Sequence, residues 1–353
     1  MMTDLKKDEL REGENKMNSY RWMEVGRETI KVYLYVPHSF SGMIIDILTP
    51  FYEIVLDRQP AKGFWKLILA SETLEEHERD LTIINVDMSN FHEPNRKFHV
   101  NSAGRTIYFE EPQEMLWKVQ IAIRLVRDIT RNEYLQLDMY YFHSAMVEYL
   151  DKGICIMGGK KSGKTSTVLT LLSSGVAGFI SNDDLSIRIE DGRVIGYGWP
   201  RSIAVRNDTL EAIETMRNIR IGREELNHPN NKIPVREDST FFYPKQLASI
   251  FKGRMKKKHK VDYVIFTQFM NEGKPRITEL KDAAALELLS ANYEHNINKY
   301  FKEFQIFFDQ PDQKELEIVL KHIVKQAKCY ELHQNFNMLD ESRRLIDEVI
   351  LNG

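Results

Sequence analysis

The chain has 353 residues, 42% of them hydrophobic and 29% charged, with a formal net charge of −3. That length suits one large domain or two, each with a core of its own, and the charge balance excludes the global basic field of a nucleic-acid binder. No apolar run of roughly 18 residues is present to cross a bilayer, and the two cysteines, Cys155 and Cys329, form no disulfide framework; no membrane partner is expected, and the setting reads as reducing and cytoplasmic.

Residues 1–19 lack the apolar centre of a signal peptide. Dense in Lys, Glu and Asp, they read as a disordered tail. Residues 20–132 read as a small mixed α/β subdomain. A strand is expected over 28–36 (ETIKVYLYV), which alternates and is rich in β-branched and aromatic residues. Residues 41–55 are mostly apolar and predict a helix broken or kinked near Thr49 by Pro50. Short strands are expected over 64–70 and 81–86. A hairpin is expected over 98–110, with Ser102-Ala103-Gly104 as its turn. Residues 113–131 carry one apolar stripe at helical spacing (Met115, Leu116, Val119, Ala122, Ile123, Val126, Ile129), and a polar turn at Asn132 and Glu133 follows. Residues 139–149 read as one strand with His143 near its middle. A turn at Asp151-Lys152-Gly153 leads to a second strand, 154–157.

That strand runs into Gly158-Gly159-Lys160-Lys161-Ser162-Gly163-Lys164-Thr165, which fits the phosphate-binding loop pattern of Gly, four residues, Gly-Lys-Ser/Thr. A helix over 165–174 then stops at Gly175. The pattern has a physical basis. Glycines let consecutive N–H groups curl inward around phosphate oxygens, and a side chain there would block close approach. The helix start adds positive character. The phosphate-binding set is Gly158, Gly159, Lys160, Lys161, Ser162, Gly163, Lys164, Thr165 and Ser166. Lys164 can reach the β and γ phosphates of ATP, and the Thr165 hydroxyl can ligate Mg²⁺. Lys160 and Lys161 either add cationic contacts or face solvent.

Asp183-Asp184 comes after a further apolar run. Two adjacent aspartates are commonly a surface turn. At a strand end beside a magnesium–nucleotide site, one can hold the metal and the other can act as base toward a hydroxyl. Segments 185–189 and 194–198 flank Asp191-Gly192-Arg193 as a hairpin. Residues 217–260 read as polar and irregular, ending in KGRMKKKHK, either a solvated loop or a docking patch for an acidic partner. A buried strand is expected over 261–266, helices over 281–291, 312–326 and 341–351, and a short strand over 329–332.

The stretch FHSAMVEYLDKGICIMGGKKSGKTSTVLTLLSSGVAGFISNDDLSI resembles the catalytic domain of HPr kinase/phosphorylase, with a histidine, a hairpin, the loop, a helix and an Asp-Asp pair in that order. The resemblance covers 142–190 well and runs weakly to about 290. It implies an α/β fold: residues 133–353 as a phosphate-loop catalytic domain with a mixed sheet and flanking helices, preceded by the smaller subdomain. It implies ATP and Mg²⁺ as cofactors and transfer of the γ-phosphate to a serine of a peptide or small protein. By position, His143 would contact the transferring phosphoryl group, Asp183 would be the base and Asp184 a metal contact beside Thr165. Arg206 would stabilise charge, with Arg201 as its rival. Two departures stand out. The loop crown holds Lys160-Lys161, and Pro234-Val235-Arg236 is followed by Glu-Asp where the bifunctional enzymes continue Pro-Gly-Arg. The expectation is therefore a kinase without phosphorylase activity, similar to divergent relatives that phosphorylate precursor peptides. The rival readings are a kinase of a small molecule, such as an amino acid or sugar, and a non-catalytic ATP-binding switch or scaffold. A homo-oligomer is left open.

Overall fold

The computed structural model of the chain describes residues 20–69, 81–109, 112, 114–295, 297, 301–309 and 315–352. The expected tail at 1–19 lies outside the described residues, as do Ala70, Glu110, Gln113 and 312–314 at the ends of expected elements. The chain is α/β with mixed sheets, and it divides into two compact units: Met1–Glu133 with Asn298–Asp309, and Tyr134–Ile297 with Gln310–Gly353.

The first unit is built on a seven-stranded sheet. Its strands are β1 (Tyr20–Arg27), β2 (Ile30–Pro37), β3 (Glu53–Leu56), β4 (Trp65–Ile68), β5 (Thr82–Val86), β6 (Arg96–Asn101) and β7 (Thr106–Phe109), in the order β3-β1-β2-β4-β7-β6-β5. Pairings β2–β4 and β4–β7 are parallel and the others antiparallel. The expected strand at 28–36 pairs with β1, which the sequence reading missed. The 98–110 hairpin forms with its turn at the expected place. Helix α1 (His38–Leu48) ends because Thr49, preceding a proline, is extended at φ −79, ψ 137. The chain beyond Pro50 becomes β3, so the second half of the expected 41–55 helix is a strand. Helix α2 (Met115–Leu135) runs straight through Asn132 and Glu133, where a turn was expected. Asn132 is buried, and its side-chain amide donates to the Asp128 carbonyl one turn back at 2.7 Å, so its polarity is satisfied on the helix itself.

In the second unit the expected single strand at 139–149 is two. β8 (Tyr140–Phe142) and β9 (Ser144–Tyr149) belong to different sheets, and the chain crosses between them at His143. The His143 N–H bonds to the Asn292 carbonyl at 2.8 Å rather than to a strand ladder. β9 turns into β10 (Lys152–Met157) through Leu150 and Asp151, both at positive φ, which matches the twist of a tight hairpin. Helix α3 (Lys164–Leu172) follows the loop. β11 (Gly178–Ser181), β12 (Leu185–Glu190) and β13 (Arg193–Tyr197) come next, the last two joined through Asp191-Gly192 as expected.

The 217–260 region is not a loop. β14 (Ile203–Arg206) and α4 (Asn207–Ala212) precede a run of short 3₁₀ turns, then β15 (Ser239–Phe242), α5 (Pro244–Ile250), β16 (Arg254–Met255) and β17 (Lys258–Lys260). The basic run thus forms two edge strands. Three of its five lysines are paired: Lys256 to Glu148 at 2.6 Å, Lys258 to Glu190 at 2.9 Å and Lys260 to Asp262 at 2.9 Å. β18 (Tyr263–Met270), β19 (Arg276–Glu279), α6 (Asp282–Ala291), α7 (Leu316–Gln326), β20 (Lys328–Asn335) and α8 (Leu339–Asn352) complete the unit. The large sheet is ordered β16-β11-β9-β10-β18-β20-β19 and the smaller one β17-β13-β12-β8, with β14–β15 apart. β10, β18 and β20 are parallel at its centre, β10 and the first half of β18 buried on both faces, so the loop after β10 opens at their carboxyl ends.

Candidate functional site

The loop Gly158–Thr165 is held from outside its own sequence. Gly158 N–H donates to the Asn292 side-chain oxygen at 3.0 Å. Gln334, fully buried on β20, donates to the Ser162 carbonyl at 3.2 Å and accepts from the Thr167 hydroxyl at 3.2 Å. Thr267 on β18 donates to the Met157 carbonyl and meets the Ser162 hydroxyl, each at 3.2 Å. Two glycines are required. Gly158 has φ +146, and a Cβ there would stand 2.6 Å from the Thr267 carbonyl. Gly163 has φ +101, and its Cβ would collide with the Gln334 amide. Gly159, Lys160 and Lys161 are exposed at the crown, with Lys161 at φ +64.

Three of the expected residues converge. The Lys164 ammonium donates to the Gly158 and Gly159 carbonyls at 2.8 and 3.1 Å and to His143 Nε2 at 3.0 Å. Asp183 Oδ1 lies 3.4 Å from His143 Nε2 and 3.6 Å from Lys164 Nζ. An ammonium only donates, so Nε2 is the acceptor and the imidazole proton sits on Nδ1, which faces Glu294 Oε1 at 3.9 Å. Burial lowers the pKa of His143, outweighing the upward pull of Asp183, and the cations Lys164 and Arg201 push the same way as burial. The ring is therefore neutral at pH 7. Burial also lowers Lys164, opposed by Asp183.

Thr165 and Asp184 were expected to hold metal. The Thr165 hydroxyl donates to Asn182 Oδ1 at 3.3 Å, and Asp184 is 1% exposed on the same turn as Asn182. Hydroxyl, amide oxygen and carboxylate are hard oxygen donors of the kind Mg²⁺ takes alongside phosphates. Among the described residues no group of three or more His, Cys, Asp or Glu forms a complete metal cage, and a nucleotide-bound Mg²⁺ needs none. The two arginines separate. Arg206 pairs with Asp208 at 3.1 Å, both about half exposed. Arg201 Nη1 donates to the Asp183 carbonyl at 2.7 Å. Sequence reasoning missed Asn182, Asn292, Glu294, Gln334 and Thr267. Only Asn182, adjacent to the Asp pair, carried a local signal.

No protein-family description matches the chain, and no curated protein matches its sequence. Among solved structures it is similar to the HPr(Ser) kinase/phosphatase from Coxiella burnetii, at 10% identity and a TM-score of 0.29, over 60% of this chain and 99% of that one. A superposition at that score carries no weight for activity. No helix among the described residues is long and apolar enough to cross a membrane.

Proposed function

We propose that the chain is an ATP- and Mg²⁺-dependent kinase that transfers the γ-phosphate to a hydroxyl, a serine of a peptide or small protein, without phosphorylase activity. The observation that carries this reading is the meeting of Lys164, His143 and Asp183 within 3.6 Å of one another at the end of β10. A phosphate-binding switch needs the loop and its lysine. It has no use for a neutral imidazole and a carboxylate beside them.

In this reading Asp183 Oδ1 accepts the proton of the attacking hydroxyl. Lys164, released from the loop carbonyls, meets the phosphate oxygens. Once Lys164 leaves Nε2, His143 can carry its proton there and donate to an oxygen of the phosphoryl group. Thr165, Asn182 and Asp184 would hold Mg²⁺, which when bound neutralises charge on the phosphate oxygens. In this reading Arg201, which donates to the Asp183 carbonyl, takes the charge-stabilising role in preference to Arg206, which pairs with Asp208. The basic run argues less for an acidic partner, since three of its five lysines pair with Glu148, Glu190 and Asp262. The peptide acceptor rests instead on a mouth left open, with His143 and Asp183 side chains 31% and 35% exposed.

The test is transfer of labelled γ-phosphate to a panel of serine-containing peptides and, in parallel, to free amino acids and sugars. Label on peptides is the expected result. Label on small molecules alone overturns the acceptor class, and ATP binding with no transfer to any acceptor or to water overturns the kinase.

A further inference from the structure

Asp183 occupies an unusual backbone position. Its φ is +62, the left-handed region that costs a non-glycine residue free energy, although Asp tolerates it better than most. Such a conformation persists when its surroundings over-determine it. One contact on this backbone is Arg201 Nη1 donating to the Asp183 carbonyl at 2.7 Å. That carbonyl shares a peptide plane with the Asp184 N–H, so the hydrogen bond orients the peptide that joins Asp183 to Asp184.

Arg201 is itself anchored to the strand that follows the Asp pair. Its N–H bonds to the Trp199 carbonyl at 2.7 Å, closing a tight turn at Pro200. The Trp199 indole is 1% exposed and donates to the Ser186 hydroxyl on β12 at 3.0 Å. It also packs against the rings of Tyr134 and Tyr141, at 6.2 and 6.1 Å between centroids. A closed circuit results: β12 holds Trp199, Trp199 holds Arg201, and Arg201 reaches back to Asp183, two residues before β12 begins. The sequence spacing of 18 residues between Asp183 and Arg201 shows none of this.

We propose that Arg201 is a positioning residue, which locks the left-handed backbone of Asp183 so that its carboxylate faces His143 and Lys164. The reaction in which Asp183 would act is the one proposed above. The positioning itself can be tested without nucleotide or turnover.

The probe is the His143 imidazole, followed by NMR of histidine-labelled full-length protein across a pH titration. The groups acting on it are Asp183, which raises its pKa, Glu294, which also raises it, and Lys164 and Arg201, which lower it. This gives opposite signs for two roles of Arg201. If the arginine is merely a nearby charge, Arg201→Met removes a cation and the His143 pKa rises. If it holds Asp183 in place, Arg201→Met lets the carboxylate leave, and the pKa falls by about one unit, as expected on losing an opposite charge within about 4–6 Å. Asp183→Asn provides the reference fall. Arg201→Lys keeps the charge but loses the guanidinium that reaches the Asp183 carbonyl, so a mere nearby charge predicts no change and positioning predicts a fall; it supplies the answer if the Met variant does not fold. A rise or no change in Arg201→Met, or no fall in a folded Arg201→Lys, overturns the proposal.

Discussion

In the first unit the Glu93 carboxylate lies between Arg96 and Arg124, and all three side chains are at most 7% exposed. In the second unit Lys164 is 6% exposed, but His143 and Asp183 beside it remain 31% and 35% exposed. Both gather basic side chains around a carboxylate. The first is shut. Burial, reinforced by Arg124, pushes the Arg96 pKa down to about 9, and the Arg96 guanidinium stacks over Phe301 at 5.1 Å. Charges taken so far from water must be matched by the protein itself, and removing one partner leaves the others unmatched. The second is left ajar. Its lysine is parked on loop carbonyls and its histidine is kept neutral, an arrangement that an arriving phosphate would improve. Exposure, more than composition, separates a structural ion cluster from a chemical one.

The largest effect that sharpens this contrast falls on the closed cluster. Glu93→Gln leaves two buried guanidiniums without their shared carboxylate and should cost about 3–5 kcal/mol. Thermal or denaturant unfolding of the variant measures it, and a loss below about 1 kcal/mol would mean that the cluster is not a clamp. A smaller effect comes from the open cluster through pH. His143 has its pKa lowered in the folded chain by burial, whereas in the unfolded chain it returns to roughly 6.5. Below that value the unfolded state binds the proton more readily, so ∂ΔG/∂pH is positive there. Its contribution to stability is present above about 6.5 and is lost as pH falls toward the folded-state pKa. His143→Gln should flatten the acid side of a plot of denaturation midpoint against pH; an unchanged slope would place the ring's titration elsewhere. The smallest effect is expected at Arg206→Ala. Its partner Asp208 is as exposed as it is, so stability should move by less than about 0.5 kcal/mol and nucleotide turnover by less than about twofold. A larger loss of turnover would return Arg206 to the site.

The loop, its helix and the hairpins were legible in the sequence because each is written locally. Glycines stand at fixed offsets, Lys164 and Thr165 sit at the helix start, and Asp191-Gly192 carries a turn with positive φ. The meeting of His143 with Lys164 was expected only through the family resemblance, since nothing in an apolar run over 139–149 marks the point where the chain changes sheets. That crossing depends on Asn292, more than a hundred residues downstream. Gln334, Thr267 and Glu294 were illegible for the same reason: each reaches the loop or the histidine through the order of parallel strands or the end of α6. The sequence put Arg206 ahead of Arg201, because nothing local shows the turn at Trp199-Pro200 that brings Arg201 to the Asp183 carbonyl. The 217–260 region was misread because its polar composition hides short elements that pair only with distant strands.

The most direct test of the central claim is transfer of labelled γ-phosphate from ATP with Mg²⁺, to acceptor or to water, by wild type and Asp183→Asn, each checked separately for ATP binding. The account predicts that the variant binds ATP about as well as wild type and transfers label about 10²–10⁴-fold more slowly, the range expected on losing a general base. Transfer by Asp183→Asn at the wild-type rate would contradict it.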